Sequence, residues 1–218
     1  MIIEFTGVPC SGKSDISHEL ANILRKNGFS VCEKQYEISH SDNSKKRALK
    51  KVLTCFLYCI RHPKRAFSFY RLIGSAKCWM NYIYLFSLNC KNDICILEQG
   101  YLQLIGSFFD NVSPDMQRMS ALFKALIPEK YIIQVFISAS KETILNRANF
   151  RNDKPFFVQA EASQSSLEYS IATCNLLQKI WCQNKGEKEF IFISNEKNNA
   201  QHEVAQEVYK ILKQRELL

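Results

Sequence analysis

A glycine-rich loop between an apolar run and an amphipathic segment constrains the fold more than any other feature of the chain. Residues 7–14, GVPCSGKS, match the pattern G-x-x-x-x-G-K-[ST] in full. The apolar run at residues 1–6 predicts a strand, and the spacing at residues 14–27 predicts a helix that ends before Gly28. Successive backbone N–H groups of such a loop, with the helix dipole, attract an anion. The sequence therefore predicts a phosphate-binding loop.

The loop has predicted contacts with a nucleoside triphosphate. We expect the Lys13 ammonium to bridge the β- and γ-phosphates and the Ser14 hydroxyl to coordinate Mg²⁺. ATP and Mg²⁺ are therefore the predicted donor and cofactor. The predicted nucleotide-binding residues of the loop are Gly7, Val8, Pro9, Cys10, Ser11, Gly12, Lys13 and Ser14.

Short apolar runs alternate with helical spacing along the rest of the chain. Parallel strands need crossover connections, and strands buried on both faces are mostly apolar. We therefore predict an α/β fold of three layers, in which helices cover both faces of a parallel sheet. No repeat or linker marks a boundary, so residues 1–218 are expected to form one domain. The predicted strands are residues 1–6, 29–36, 94–97, 131–137 and 190–193.

Glu98 directly follows the predicted strand at residues 94–97. In an open α/β sheet, the carboxyl ends of the strands face the ligand crevice. A carboxylate there holds Mg²⁺ through water or accepts the proton of an attacking hydroxyl. Glu98 is therefore a candidate catalytic residue and metal ligand, and a surface glutamate that only ends a strand is the alternative.

Arg147 and Arg151 lie four residues apart, near the end of a predicted helix at residues 141–150. This spacing places both side chains on one helix face. Guanidinium groups neutralise the oxygens of a transferring phosphoryl group with paired donors. Both arginines are therefore candidate catalytic residues, and a solvated helix end is the alternative.

The net charge of +8 and the pI near 9.0 predict attraction to polyanions, such as nucleotides, nucleic acid or anionic lipid. Basic residues crowd between Lys45 and Arg71. They predict a solvated helix face or the rim of a cleft for an anionic substrate, and contact with a membrane surface stays open. The apolar stretches 52–60 and 78–88 are shorter than the ~20 residues that cross a bilayer.

The nine cysteines form no CxxC pair and no spacing typical of zinc ligands. Their odd number and the lack of a recognisable signal peptide predict reduced thiols in a cytoplasmic protein. Zinc is therefore not expected.

In this order, the loop, Glu98 and the arginines resemble the P-loop nucleoside and nucleotide kinases, most nearly the thymidylate-kinase-like group. The resemblance implies a five-stranded parallel sheet, an arginine-bearing lid at about residues 147–160, and a helical insertion on the acceptor side at about residues 44–90. It also implies that residues 194–199 flank the adenine, which makes Ser194 and Asn195 predicted cofactor-binding residues.

The chain departs from that family directly after Glu98. The family usually has an arginine at this position, where the chain has Gln99 followed by Gly100. This stretch resembles uncharacterised kinase-like relatives, so the resemblance names no acceptor.

Three functions follow from these patterns, in decreasing order of support. The first is ATP- and Mg²⁺-dependent phosphoryl transfer to a small nucleoside, nucleotide or sugar-like acceptor. The second is a nucleotide-dependent ATPase or switch that acts on a protein or membrane partner. Nucleic-acid binding ranks last because no recognition motif accompanies the basic residues. A homodimer is left open.

Overall fold

The computed structural model describes residues 1–33, 44–73, 76–87, 92–109, 115–150, 163–196 and 200–218. Within them, five parallel strands form one sheet in the order β2-β3-β1-β4-β5. The central strand β1 pairs with β3, where Ile2 lies opposite Cys95, and with β4, where Ile2 lies opposite Ile132. The strands are β1 (Ile2–Thr6), β2 (Val31–Cys32), β3 (Ile94–Leu97), β4 (Ile132–Ser138) and β5 (Phe190–Ser194).

Helices separate the strands along the chain, because each parallel strand needs a return connection to the same end of the sheet. A 3₁₀ turn at Ser107–Phe109 follows the fifth helix. The helices are α1 (Lys13–Lys26), α2 (Ser44–Arg61), α3 (Pro63–Ile73), α4 (Ala76–Ser87), α5 (Tyr101–Gly106), α6 (Met116–Leu126), α7 (Lys141–Asn149), α8 (Ser163–Lys185) and α9 (Gln201–Gln214).

Helices cover both faces of the sheet, and each face has its own apolar core. On one face, Ile3 and Phe5 of β1 pack in a cluster with α1 and α9. On the other face, Leu97 of β3 and Phe136 of β4 belong to a cluster with α5, α6 and α8. The predicted three-layer fold with a five-stranded parallel sheet is therefore confirmed.

The described residues between β2 and β3 form three helices, and these lie within the helical insertion expected at about residues 44–90. The helix α2 ends at Arg61, and Pro63 opens α3 at the position where a missing N–H costs least. The Trp79 indole N–H donates to the Ala66 carbonyl at 2.8 Å, which ties α4 to α3. The strand β2 is shorter than its predicted range of 29–36, and residues 34–36 of that prediction lie outside the described residues.

No helix in the part of the chain described above is both long enough and apolar enough to span a bilayer.

Candidate functional site

The loop after β1 adopts a backbone that two of its glycines allow. Gly7 has φ of 155°, and a Cβ placed there would lie 2.1 Å from the Ile137 carbonyl oxygen. Gly12 has φ of 95°, and its Cβ would lie 2.5 Å from Nδ2 of Asn195. Side chains rarely adopt these angles, and both contacts are far shorter than van der Waals distance. The loop therefore runs close against the ends of β4 and β5.

Lys13 curls back over this loop. Its ammonium donates to the carbonyl oxygens of Gly7 and Val8, at 2.8 and 2.9 Å. The residue is only 8% exposed, although it opens the first turn of α1. Its charge is thus held next to the loop, where phosphate oxygens can replace the carbonyl contacts with stronger charge-assisted bonds.

The Ser11 carbonyl joins the loop to two distant elements. The Asn195 amide donates to it at 2.8 Å from the end of β5, and Nη1 of Arg147 in α7 donates to it at 3.4 Å. The structure therefore brings three predicted site residues together. Arg151, the other predicted lid arginine, lies outside the described residues.

Ser194 and Asn195 have structural contacts in addition to their predicted role beside the adenine. Asn195 is 3% exposed, and its backbone N–H donates to the Ser138 carbonyl at 2.8 Å. The Ser194 hydroxyl donates to Glu196 at 3.0 Å. Asn195 thus stabilises the loop through the Ser11 carbonyl. Contact of either residue with a nucleobase stays a prediction.

Replacing Asn195 with alanine is expected to weaken phosphate binding about tenfold and to lower the free energy of unfolding by about 1–2 kcal/mol. The change removes the 2.8 Å bond and leaves the Ser11 carbonyl without this buried donor. Titrations of pyrophosphate and of ATP check the cause, because loss of loop support weakens both ligands alike.

Asn184→Ala is the matched control, since the Asn184 amide also donates to a backbone carbonyl, that of Ile180, but far from the loop. If Asn195→Ala lowers the affinity for ATP and leaves the affinity for pyrophosphate unchanged, Asn195 contacts the base instead of supporting the loop.

Glu196 fixes the start of the helix that carries Arg147. Its carboxylate accepts from the Ser140 backbone N–H at 2.8 and 3.0 Å and from the Thr143 hydroxyl at 3.0 Å. These donors favour the charged form, so the bond from Ser140 in particular lowers the pKa of Glu196 from its ordinary value. The end of β5 and the first turn of α7 are thus joined directly beside the loop.

Glu98 and Ser14 lie at the carboxyl edge of the sheet, as the sequence predicts. Glu98 directly follows β3, which pairs with β1, and Ser14 is the second residue of α1. Both side chains are partly exposed. Their oxygens are hard ligands of the kind that Mg²⁺ prefers, and their exposure leaves room for the waters that this ion retains. The chemistry and exposure of these two residues are compatible with a magnesium ion, and the metal site itself stays a prediction.

No sequence motif identifies Glu4 and Gln103, two residues that lie beside the loop. The Glu4 carboxylate lies fully buried at the start of α5, where Oε1 accepts from the Leu102 backbone N–H at 2.6 Å. The next side chain, that of Gln103, accepts from the Gly7 backbone N–H at 3.1 Å. A glutamate inside an otherwise apolar strand is the signal that could have identified Glu4.

Burial raises the pKa of Glu4 to about 7, against the opposing effect of the backbone N–H groups of residues 101–103 and the Thr6 hydroxyl. Its Oε2 has no hydrogen-bond partner among the described residues. A Cβ at Gly100 would lie 2.2 Å from Cδ of Glu4, so only glycine fits there. The segment that follows Glu98 is therefore packed onto a buried acid.

No protein-family model and no curated protein sequence matches the chain. Solved structures do match it over nearly its whole length. A shikimate kinase from Acinetobacter baumannii in complex with shikimate has a TM-score of 0.54 at 14% identity, over 100% of this chain and 95% of that one.

Two further structures are less similar. A deoxyadenosine kinase from M. mycoides has a TM-score of 0.49 at 14% identity, over 98% of this chain and 99% of that one. A shikimate kinase from Aquifex aeolicus has a TM-score of 0.49 at 16% identity, over 100% and 99%. The thymidylate-kinase-like grouping stays a prediction. With its motif, its strand order and the shikimate kinase of Acinetobacter baumannii as a structural neighbour, the chain has the fold of the P-loop kinases.

Proposed function

We propose that the protein transfers the γ-phosphoryl group of ATP to a hydroxyl or phosphate of a small molecule. One observation carries this proposal. Lys13 lies on the loop, and Arg147 reaches the same loop from a different element, with its Nη1 3.4 Å from the Ser11 carbonyl. Two cations from separate elements thus converge where a transferring phosphoryl group would lie.

Each side chain has a role that its position supports. Lys13 neutralises the β- and γ-phosphate oxygens, and Arg147 adds charge to the equatorial oxygens as the phosphoryl group moves. Ser14 and Glu98 would hold Mg²⁺, which would supply neutralising charge for the phosphates when bound. The alternative role of Glu98 is to accept the proton of an acceptor hydroxyl. Positioning and charge neutralisation account for this chemistry without a covalent intermediate.

The test is ADP formation from Mg-ATP by the purified protein, against a panel of nucleosides, nucleoside monophosphates, sugars and small hydroxy acids. One class of acceptor is expected to stimulate ADP release well above the basal rate and to appear as a phosphorylated product. ADP release that no acceptor stimulates, together with tight ATP binding, would instead favour the ATPase or switch.

With the stimulating acceptor, Glu98→Gln is expected to lower kcat at least about tenfold, because the amide neither accepts a proton nor carries charge for Mg²⁺. Binding of ATP without metal should change less than twofold. The matched control is Glu129→Gln, which removes an exposed carboxylate just before β4, at the opposite edge of the sheet. Equal kcat values for Glu98→Gln and wild type would remove Glu98 from the mechanism.

A further inference from the structure

The charge of the protein is concentrated in α2 and α3. Residues 44–73 hold nine of the 29 lysines and arginines and none of the 21 aspartates and glutamates, so the other 188 residues have a net charge of −1. Among the described side chains of this segment, Arg61, Lys64 and Arg71 are exposed. A concavity of about 390 Å³ at the junction of the two helices is lined by Arg61, His62, Pro63 and Lys64. The segment is thus strongly cationic in sequence, and its three basic side chains with described burial lie on the surface.

The same two helices expose large apolar side chains. Five of them follow i, i+4 spacing along α2, and at 100° per residue they cover an arc of about 140° on one side of the helix. Two more lie on α3. The exposed fractions are 50% for Val52, 54% for Leu53, 60% for Phe56, 43% for Leu57, 61% for Ile60, 62% for Phe67 and 47% for Tyr70. We call these seven residues, together with Arg61, Lys64 and Arg71, the α2–α3 face.

Internal packing uses the other side of these helices. Cys55 and Tyr58 are buried, and the Cys55 thiol donates to the Met80 carbonyl of α4 at 3.4 Å. Tyr70 contacts Trp79 of α4 edge-on, with ring centroids 6.0 Å apart. Apart from Tyr70, whose ring also packs on α4, the α2–α3 face is therefore not the side by which these helices are held to the fold. Contiguous exposed apolar residues on a helix typically mark a surface that another phase or molecule covers.

We propose that the α2–α3 face docks the protein on an anionic phospholipid bilayer. Helices that lie in the bilayer interface combine an apolar arc with flanking Lys and Arg, and the negative lipid surface attracts each basic residue. The apolar side chains enter the region below the headgroups, and Arg61, Lys64 and Arg71 contact the phosphates. No step of the proposed phosphoryl transfer is needed to infer this docking.

Charge argues against the two other occupants of such a face. A second copy of the chain would bring two segments of nine positive charges and no negative ones against each other, which repel. A nucleic acid would neutralise the charge through its phosphates, but it would leave the apolar arc without a partner. A bilayer of anionic lipid satisfies the charge and the apolar arc together.

The test is co-sedimentation of the full chain with vesicles of phosphatidylcholine alone or with about 30% phosphatidylserine, at about 0.1 M salt. Binding to the anionic vesicles is expected to exceed binding to the neutral ones at least about tenfold. Phe56→Ser with Ile60→Ser removes apolar contact, and Arg61→Gln with Lys64→Gln removes charge. Each pair should weaken anionic binding at least about tenfold.

The matched charge control is Lys124→Gln with Lys130→Gln, which removes two exposed lysines outside the α2–α3 face, from the last turn of α6 and from just before β4, and should bind like wild type. Circular dichroism and ATP binding check that every variant is folded. The proposal is overturned if the protein binds both vesicle types equally. It is also overturned if the variant with Phe56→Ser and Ile60→Ser binds the anionic vesicles as well as wild type does, since charge alone would then explain the binding. If light scattering shows that wild type is a dimer and that the variant with Phe56→Ser and Ile60→Ser is a monomer, the face binds a second copy of the chain instead.

Discussion

Replacement of Lys13 with alanine is expected to lower the affinity for ATP about 100-fold or more, and to abolish acceptor-stimulated ADP release. The ammonium is held at the loop by two carbonyl contacts of 2.8 and 2.9 Å, so the neutral variant loses a positioned charge where the phosphates bind. Calorimetric titration with ATP measures the affinity, and single-turnover kinetics measures the chemical step.

Lys26→Ala is the matched control, because Lys26 is exposed in the last turn of the same helix. It should bind ATP as wild type does. Lys13→Arg should recover little activity, since a planar guanidinium does not fit a contact made by a compact ammonium. An affinity of Lys13→Ala within tenfold of wild type would show that the phosphates bind elsewhere.

Glu4 is expected to make the protein less stable as the pH rises from about 4.5 to about 7. An ordinary glutamate has a pKa of 4.5, whereas the pKa of folded Glu4 is about 7. Between these values the folded chain binds more protons than the unfolded chain, so the free energy of unfolding falls with rising pH, by about 3 kcal/mol in total. Above about pH 7 both states are ionised and this contribution is constant.

Glu4→Gln removes the titration and retains an oxygen that can accept from the Leu102 N–H. The difference in stability between Glu4→Gln and wild type should therefore change by about 2.5 kcal/mol, in favour of the variant, between about pH 5 and about pH 8. Urea unfolding over this range measures it. Glu207→Gln, on the exposed side of α9, is the control, and its free energy of unfolding should change with pH as that of wild type does. If the free energy of unfolding of Glu4→Gln also changes with pH as that of wild type does, the buried carboxyl does not titrate in this range.

The sequence predicts the loop and the layers because both depend on local patterns. A strand buried on both faces is apolar wherever its partners lie, and the residues of the loop are consecutive. The predicted range of β3 matches the structure, and that of β4 differs by one residue at each end. The predicted strand at residues 29–36 is too long, because the aromatic and β-branched residues there indicate only propensity and pairing ends at Cys32 within the described residues.

The contacts that hold the site together are not predictable in this way. The Asn195 amide and the Ser11 carbonyl are 184 residues apart in sequence, and Glu4 and Leu102 are 98 residues apart. Each contact depends on which strands are neighbours, and no periodicity in one segment contains that information. The predicted proximity of Arg147 to the loop has structural support in its 3.4 Å contact, whereas the predicted place of Arg151 stays untested.

The short helix α5 is bonded to β1 and to the loop that follows it. Leu102 donates to Glu4 of β1, and the adjacent Gln103 accepts from Gly7, the first residue of the loop. If Glu98 serves the acceptor, the short segment from Glu98 to α5 links the acceptor side of the site to the phosphate-binding loop. A shift of α5 would also displace the phosphate-binding loop, so we expect α5 to tolerate few substitutions when the acceptor changes.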